Sequence, residues 1–562
     1  MKSGTLTRGV AAIVIFAVLC GLAAYFAPSG GGDGQGVVWF SVVPPVLAIV
    51  LAFLTRHVIL SLGIAILAGG LLAAVPQAPL SAGAWAEGFQ TAGIHVIHTV
   101  TDKSNLQILA FIPPIFVMIE LLVASGGFRG IIVWLLKWVR GRKSAQLATA
   151  LMGILCFIDD YTNAIIVGSM MQPITDRFRV SRAKLAFLVD ATSAPIAGLA
   201  VVSTWIAYEV GLLGQVADNL GMDKSGYALF FDALSFRFYC WLMIAFVFLQ
   251  AIVGRDFGPM KTSEDLARRS NRDADPAPST ENQVPGPESG RAINALVPMA
   301  GLIAFHVAGL WVDGGGPAKL TQGGSLLSLI YWRDVISASQ HTHFILDCAA
   351  LFGLALALLF SQLSGPLRLP VIASCFKRGV RRAMLPFAIL ILAWSLKNCC
   401  DRLDTGKFLA AILAGRVSPH WFGPALFFVA SVTSFATGTS YGTMAILLPT
   451  AIPIAFALDG GVYGLTTMIS IGAVLDGAIF GDHCSPISDT TIMSSVSSSC
   501  DLIEHVRTQL PYSLFVAGIA LLFAYLPSTL GLAPAWSLVL AISAMACFFV
   551  VLVRAREIQS PS

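Results

Sequence analysis

The sequence predicts an all-α polytopic membrane protein, with about 12 transmembrane helices in two inverted repeats, each holding a re-entrant helical hairpin and a broken helix. Three observations carry this reading. Of 562 residues, 56% are hydrophobic and only 12% charged, about half the charge of a soluble domain. Thirteen of the 66 charges crowd into the 37 residues from Arg255 to Arg291, so the rest of the chain is poorer still. Two apolar stretches are interrupted midway by polar clusters, and these clusters recur at a fixed offset. A soluble globule and a single-anchor receptor or enzyme are excluded.

The expected spans cover residues 9–27, 37–54, 58–75, 105–124, 185–210, 228–254, 293–312, 343–363, 383–398, 463–495, 512–527 and 533–553. The run at 9–27 follows Lys2 and Arg8 and is read as a retained first helix, not a signal peptide. Residues 145–175 and 421–457 are too long for one span. Their polar interruptions, Asp159 to Asn163 and Thr437 to Thr443 with Gly438 at the turn, read as re-entrant tips, because irregular backbone at membrane depth persists only where it lines a cavity. Residues 255–292, with five prolines among mixed charges, read as a disordered cytoplasmic linker. The resulting organisation is N-terminal scaffold 1–104, first repeat core 105–254, linker 255–292, second scaffold 293–382, second repeat core 383–511, and C-terminal helices 512–562.

With the N-terminus inside, this layout puts 26 Lys/Arg in cytoplasmic segments and 7 in external ones, which sets both termini in the cytoplasm. The basic residues stand in short clusters between apolar runs, an orientation signal and not a nucleic-acid surface. The ten cysteines lie mostly in apolar stretches and read as buried small hydrophobes.

The repeat shows at offset 280, where Gly126, Phe128, Tyr161 and Pro173 match Gly406, Phe408, Tyr441 and Pro453; beyond the hairpins the offset becomes 291, pairing Pro195 with Pro486. The loop after the first hairpin holds four basic residues and its counterpart none, so the two copies point opposite ways. That is the architecture of secondary transporters.

Chemistry concentrates in residues 473–495, where Asp476, Asp482 and Asp489 fall within one expected span. A carboxylate at the bilayer centre costs roughly 2.5 to 3.5 kcal/mol. Gly477, Gly481 and Pro486 would break the helix, and the freed carbonyls, with Ser485, Ser488, Thr490 and Thr491, offer hard oxygens suited to Na+. A short loop joining two helices is the alternative. Asp190, followed by Thr192, Ser193 and Pro195, is the matching site in the first repeat, or else a proline-kinked helix with a satisfied carboxylate. The sodium ligands expected are Asp482, Ser485, Asp190 and Ser193, with Asp489, Thr439, Thr443, Asn163 and Asp160 as further binding residues. Asp159 and Asp160 are consecutive, so at most one should face a cavity. Asn163 suits coordination or capping equally.

Asp482, Asp190 and His483 are the expected proton-handling groups; His483 beside Cys484 is also a weak zinc pair. Glu120 reads as a structural ion pair or a transport residue. Lys397 could snorkel, pair with an Asp, or hold an anionic substrate. Because H+ and Na+ cannot share one carboxylate, exchange needs no covalent chemistry and no cofactor; Asp482 and Asp489 are its first expected carriers and Asp190 the second. A remote alternative is an intramembrane aspartyl enzyme using Asp190 and Asp482.

The segments FGDHCSPISDTT, CDLIEHVRTQLPY, FIDDYTNAIIVG and TDRFRVSRAKLAFLVDATSAP resemble the NhaC-type sodium/proton antiporters of the ion-transporter superfamily, mainly across residues 105–210 and 383–515. The resemblance implies a homodimeric, multi-pass transporter of the inner (plasma) membrane that exchanges Na+ for H+ by alternating access, moving its core as an elevator. Relatives of this type also resemble exchangers of small carboxylates and exporters of amino acids, so coupled exchange of a small organic solute stays as the alternative.

Overall fold

The computed structural model describes residues 39–558, apart from 56, 270–289, 329–330, 333–334, 337, 340, 406–407, 409–417 and 487. The expected span at 9–27 and most of the 255–292 linker therefore lie outside the described residues. Among those described, every regular element is a helix. The helices that matter below are α1 (Lys103–Ala124), α2 (Arg142–Leu155), α3 (Asp160–Arg177), α4 (Arg182–Leu199), α5 (Thr204–Asn219), α6 (Phe238–Val253), α7 (Gly258–Arg269), α8 (Leu369–Arg402), α9 (Pro419–Thr437), α10 (Ser440–Leu458), α11 (Leu465–Cys484), α12 (Asp489–Ser497) and α13 (Leu502–Ala520).

Nine described helices are long and apolar enough to cross a membrane, or ten if α4 and α5, bent by 53°, form one span. The first helices expected after residue 37, Trp39–Leu51 and Val58–Ala74, are apolar but shorter. α10, expected as half of a hairpin, is by length and composition a candidate span on its own.

Side-chain caps explain where several helices begin. Asp159 accepts the Thr162 N–H at 2.9 Å to start α3, Ser181 accepts Lys184 N–H at 3.1 Å for α4, and Asp501 accepts Glu504 N–H at 3.0 Å for α13. These supply partners for donors that a helix N-terminus leaves orphaned. α9 ends at Gly438, whose φ of +71° is the left-handed closure that glycine takes without strain, and Thr439 caps α10 one residue later. Both polar interruptions seen in the sequence are thus helix–break–helix joints.

Three expectations shift. The bend between α4 and α5 falls at residues 200–203, not at Pro195, which lies inside α4; a proline removes one intrahelical bond, and the rest of the ladder holds the helix for another turn. Gly481 does not break α11 but lies within it, where a Cβ would strike the Ser434 side chain and the Ser431 carbonyl of α9. The start of the expected linker is helical: α7 buries Glu264, which accepts the Ser181 N–H at 2.7 Å and pairs with Arg142. Its two partners satisfy the carboxylate, and so anchor a segment whose composition alone suggested disorder.

The described chain forms two compact units, each assembled from separate stretches. One comprises residues up to Ile108, Tyr208–Phe236 and Met384–Gly481; the other comprises Leu109–Ala207, Arg237–Ala383 and the chain from Asp482 onward. The second holds α2, α3, α4, α6, α7, α12 and α13, and with them most of the residues singled out from sequence.

Candidate functional site

Within the second unit, Asp190 lies fully buried midway along α4. An isolated carboxylate there would be prohibitive, so its partners decide its state. Ser494 of α12 donates to Oδ1 at 3.2 Å, while Thr491 of α12 and Gln509 of α13 donate to Oδ2 at 3.3 and 2.5 Å. His505 of α13 places Nε2 3.5 Å from the same oxygen. Four side chains from two helices thus converge on one carboxylate. Gln509 also donates to the His483 carbonyl at 2.9 Å, and His483 Nδ1 pairs with the Tyr239 hydroxyl of α6 at 2.9 Å.

The expected break after α11 spans residues 485–488, with Pro486 inside it. Asp482 and Ser485 are buried there, the Ser485 N–H returning to the Asp482 carbonyl at 3.1 Å. The single proton of the Thr491 hydroxyl is shared with that same carbonyl, the nearer acceptor at 2.8 Å, and so ties the end of α11 to the Asp190 cluster. Asp489, at the first position of α12, is exposed and accepts the Tyr161 hydroxyl at 3.2 Å. Ser193 is buried but turns back to the Asp190 carbonyl on its own helix at 3.0 Å.

At the start of α3 the two consecutive aspartates do part company. Asp159 is held by Thr162, Thr204 and Arg382, the last at 2.8 Å, whereas Asp160 is buried with Oδ1 unpartnered. Asn163 clamps two helices: its amide donates to the Gly153 carbonyl of α2 at 2.7 Å and the Thr192 carbonyl of α4 at 3.1 Å. Gly153 lies in the last turn of α2, so the bond caps a carbonyl that the helix end leaves open. Glu120 is an ion pair, bound by Arg378 at 2.7 Å and Arg382 at 3.2 Å.

The other unit holds Thr439, Thr443, Gly438 and Gly481. Thr439 and Thr443 serve the local backbone of α10, the Thr443 hydroxyl donating to the Thr439 carbonyl at 2.9 Å. Lys397 pairs with Asp401 at 3.0 Å, the second of its three readings.

His505, Gln509, Tyr239 and Arg382 belong to these clusters and were not singled out from sequence. His505 and Gln509 stand four apart, one face of a helix, in a stretch taken for a loop before the next span. That spacing was the available signal.

Residues 196–526, more than half of the chain, match the Na+/H+ antiporter family. An uncharacterized protein of Haemophilus influenzae is 32% identical over 492 residues, 86% of this chain and 90% of its own length. The malate-2H+/Na+-lactate antiporter of Bacillus subtilis is 34% identical over 124 residues, 20% of this chain and 25% of its own. Among solved structures, the YdaH transporter of Alcanivorax borkumensis shares the fold with a TM-score of 0.53 at 15% identity, covering 81% of this chain and 91% of that one.

Proposed function

Because the chain belongs to the Na+/H+ antiporter family, we propose that it exchanges Na+ for H+ by letting the two cations compete for the buried carboxylate of Asp190. It is a membrane transporter and not an enzyme; Na+ enters as the transported ion. The observation that carries the site assignment is the convergence of Thr491, Ser494, Gln509 and His505 on a fully buried Asp190. Intramembrane carboxylates facing polar partners mark ion pathways. Asp482, three residues before the start of the break, and Ser485 are the second set of groups within the same unit, with Asp160 also buried in that unit, while Ser193 and Asn163 bond to the helices around it.

The inverted-repeat reading draws support from the caps Asp159 and Thr439, which start α3 and α10 at the same offset of 280 that the sequence shows. Twelve spans, re-entrant hairpins, a homodimer and cytoplasmic termini in the inner membrane complete the proposal. The segment boundaries follow the sequence reading, with α7 added to the first core by its bonds to Ser181 and Arg142.

The test is a proteoliposome assay: with an acidic lumen, external Na+ should alkalinise the lumen, and K+ should not. No Na+-dependent proton movement would overturn the reading. The Bacillus relative, named for malate and lactate, favours a second reading, coupled exchange of a small organic anion; it takes over if malate or lactate, and not Na+ alone, drives the proton flux.

A further inference from the structure

Gln509 is fully buried, and its Nε2 stands within hydrogen-bond reach of two oxygens at once, Asp190 Oδ2 at 2.5 Å and the His483 carbonyl at 2.9 Å. With Asp190 ionised, neither oxygen carries a proton to share, so in that state the amide nitrogen, not its oxygen, faces them. Gln509 Oε1 is then left buried without a hydrogen-bond partner. An acceptor so placed calls for an explanation.

The two oxygens that meet the amide come from different sources. One is a carboxylate on α4; the other is a carbonyl at the C-terminal end of α11, where helix dipoles add partial negative charge. Thr491 places a hydroxyl 3.3 Å from the same Asp190 oxygen and is steadied by the Asp482 carbonyl at 2.8 Å. A negative and a partially negative oxygen therefore meet at the weakly positive N–H2 of Gln509, with His505 Nε2 3.5 Å from the carboxylate oxygen as the other nitrogen facing it. A monovalent hard cation suits such a set of oxygens.

Resting on the antiport reading above, we propose that Gln509 is a ligand and selectivity residue of the Na+ site, its carboxamide turning over as the ion arrives. Without the ion, N–H2 bridges Asp190 and the His483 carbonyl. With it, Oε1 faces inward and joins Asp190 Oδ2, that carbonyl and the Thr491 hydroxyl around Na+. The amide thus takes the cation's place in the interval between release of Na+ and protonation of Asp190, and keeps the oxygens from repelling one another.

Measure 22Na+ uptake into proteoliposomes for wild type, Gln509→Met, which keeps the bulk and loses both polar atoms, and Gln509→Glu, which offers oxygen on both sides. Gln509→Met should raise the KM for Na+ by about tenfold or more and alter the Li+/Na+ preference. Gln509→Glu should move the other way, to a lower KM with slower turnover, because no N–H2 displaces the ion. A wild-type KM and Li+/Na+ ratio in Gln509→Met, or KM shifts of the same sign in both variants, overturns the proposal while wild-type Na+ uptake keeps the antiport reading intact. Absence of Na+ uptake by wild type overturns both. If Gln509→Met does not reach the membrane, Gln509→Asn, one methylene shorter, is read by the same criteria.

Discussion

Asp190 and Asp489 were placed in the same functional set by sequence, and their surroundings separate them. The first is fully buried under four side chains; the second is exposed and touches Tyr161. Asp190→Asn keeps the shape but sets an amide among donors that need an acceptor, so Na+-driven proton exchange should fall to background with membrane insertion unchanged. Asp489→Asn should retain most of the exchange. The pair is compared by lumenal pH change in vesicles with matched protein content, and equal losses would remove Asp190 from its central position. Asp190 and Thr491 were legible as polar residues where apolar ones belong. Gln509 and His505 were not, since a polar face on a helix just outside an apolar run looks like ordinary solvent exposure until the neighbouring helices are known.

At the scale of helices, the joints were the most legible feature. The polar clusters at Asp159 to Asn163 and at Thr439 lie where capping side chains start α3 and α10, because a cap needs only local chemistry. Close approaches were hidden, since they depend on which helix lies opposite. Gly153 is such a place: a Cβ there would fall inside van der Waals contact with the Thr192 side chain of α4. Gly153→Ala should destabilise the protein by about 1 to 3 kcal/mol, as overpacking does, and adding Thr192→Ala should recover part of that loss. Thermal unfolding in detergent measures both; a Gly153→Ala variant as stable as wild type would show that α2 and α4 can part. The Arg382 network makes a second test. Removing its guanidinium takes from Asp159 its counter-charge and leaves Glu120 with Arg378 alone, so Arg382→Leu should unfold at a clearly lower temperature than wild type. Arg382→Lys, which keeps charge but loses the fork that reaches both carboxylates, should fall between them.

For the molecule as a whole, composition and charge placement settled the class before any helix was drawn, because a chain this apolar has no alternative to lipid. Orientation rests on a weaker assumption, that each Lys and Arg counted is a free cation near the membrane surface. Several are not. Lys184 is fully buried between Asp256 at 2.6 Å and Gln250 at 2.7 Å, while Arg142, Arg378 and Arg382 are committed to Glu264, Glu120 and Asp159. Leaving these four out of the cytoplasmic count still leaves 22 against 7, so the bias does not depend on them. A cysteine at Val462, exposed in the turn before α11, should therefore react with a membrane-impermeant maleimide added to intact cells, once native cysteines that label are replaced. A cysteine at Lys137, exposed before α2, should react only after permeabilisation. Because the two positions are assigned to opposite faces by the same basic-residue bias, labelling of both from outside would reject the topology, and reversed accessibility would turn the whole chain over while leaving the Asp190 cluster unchanged.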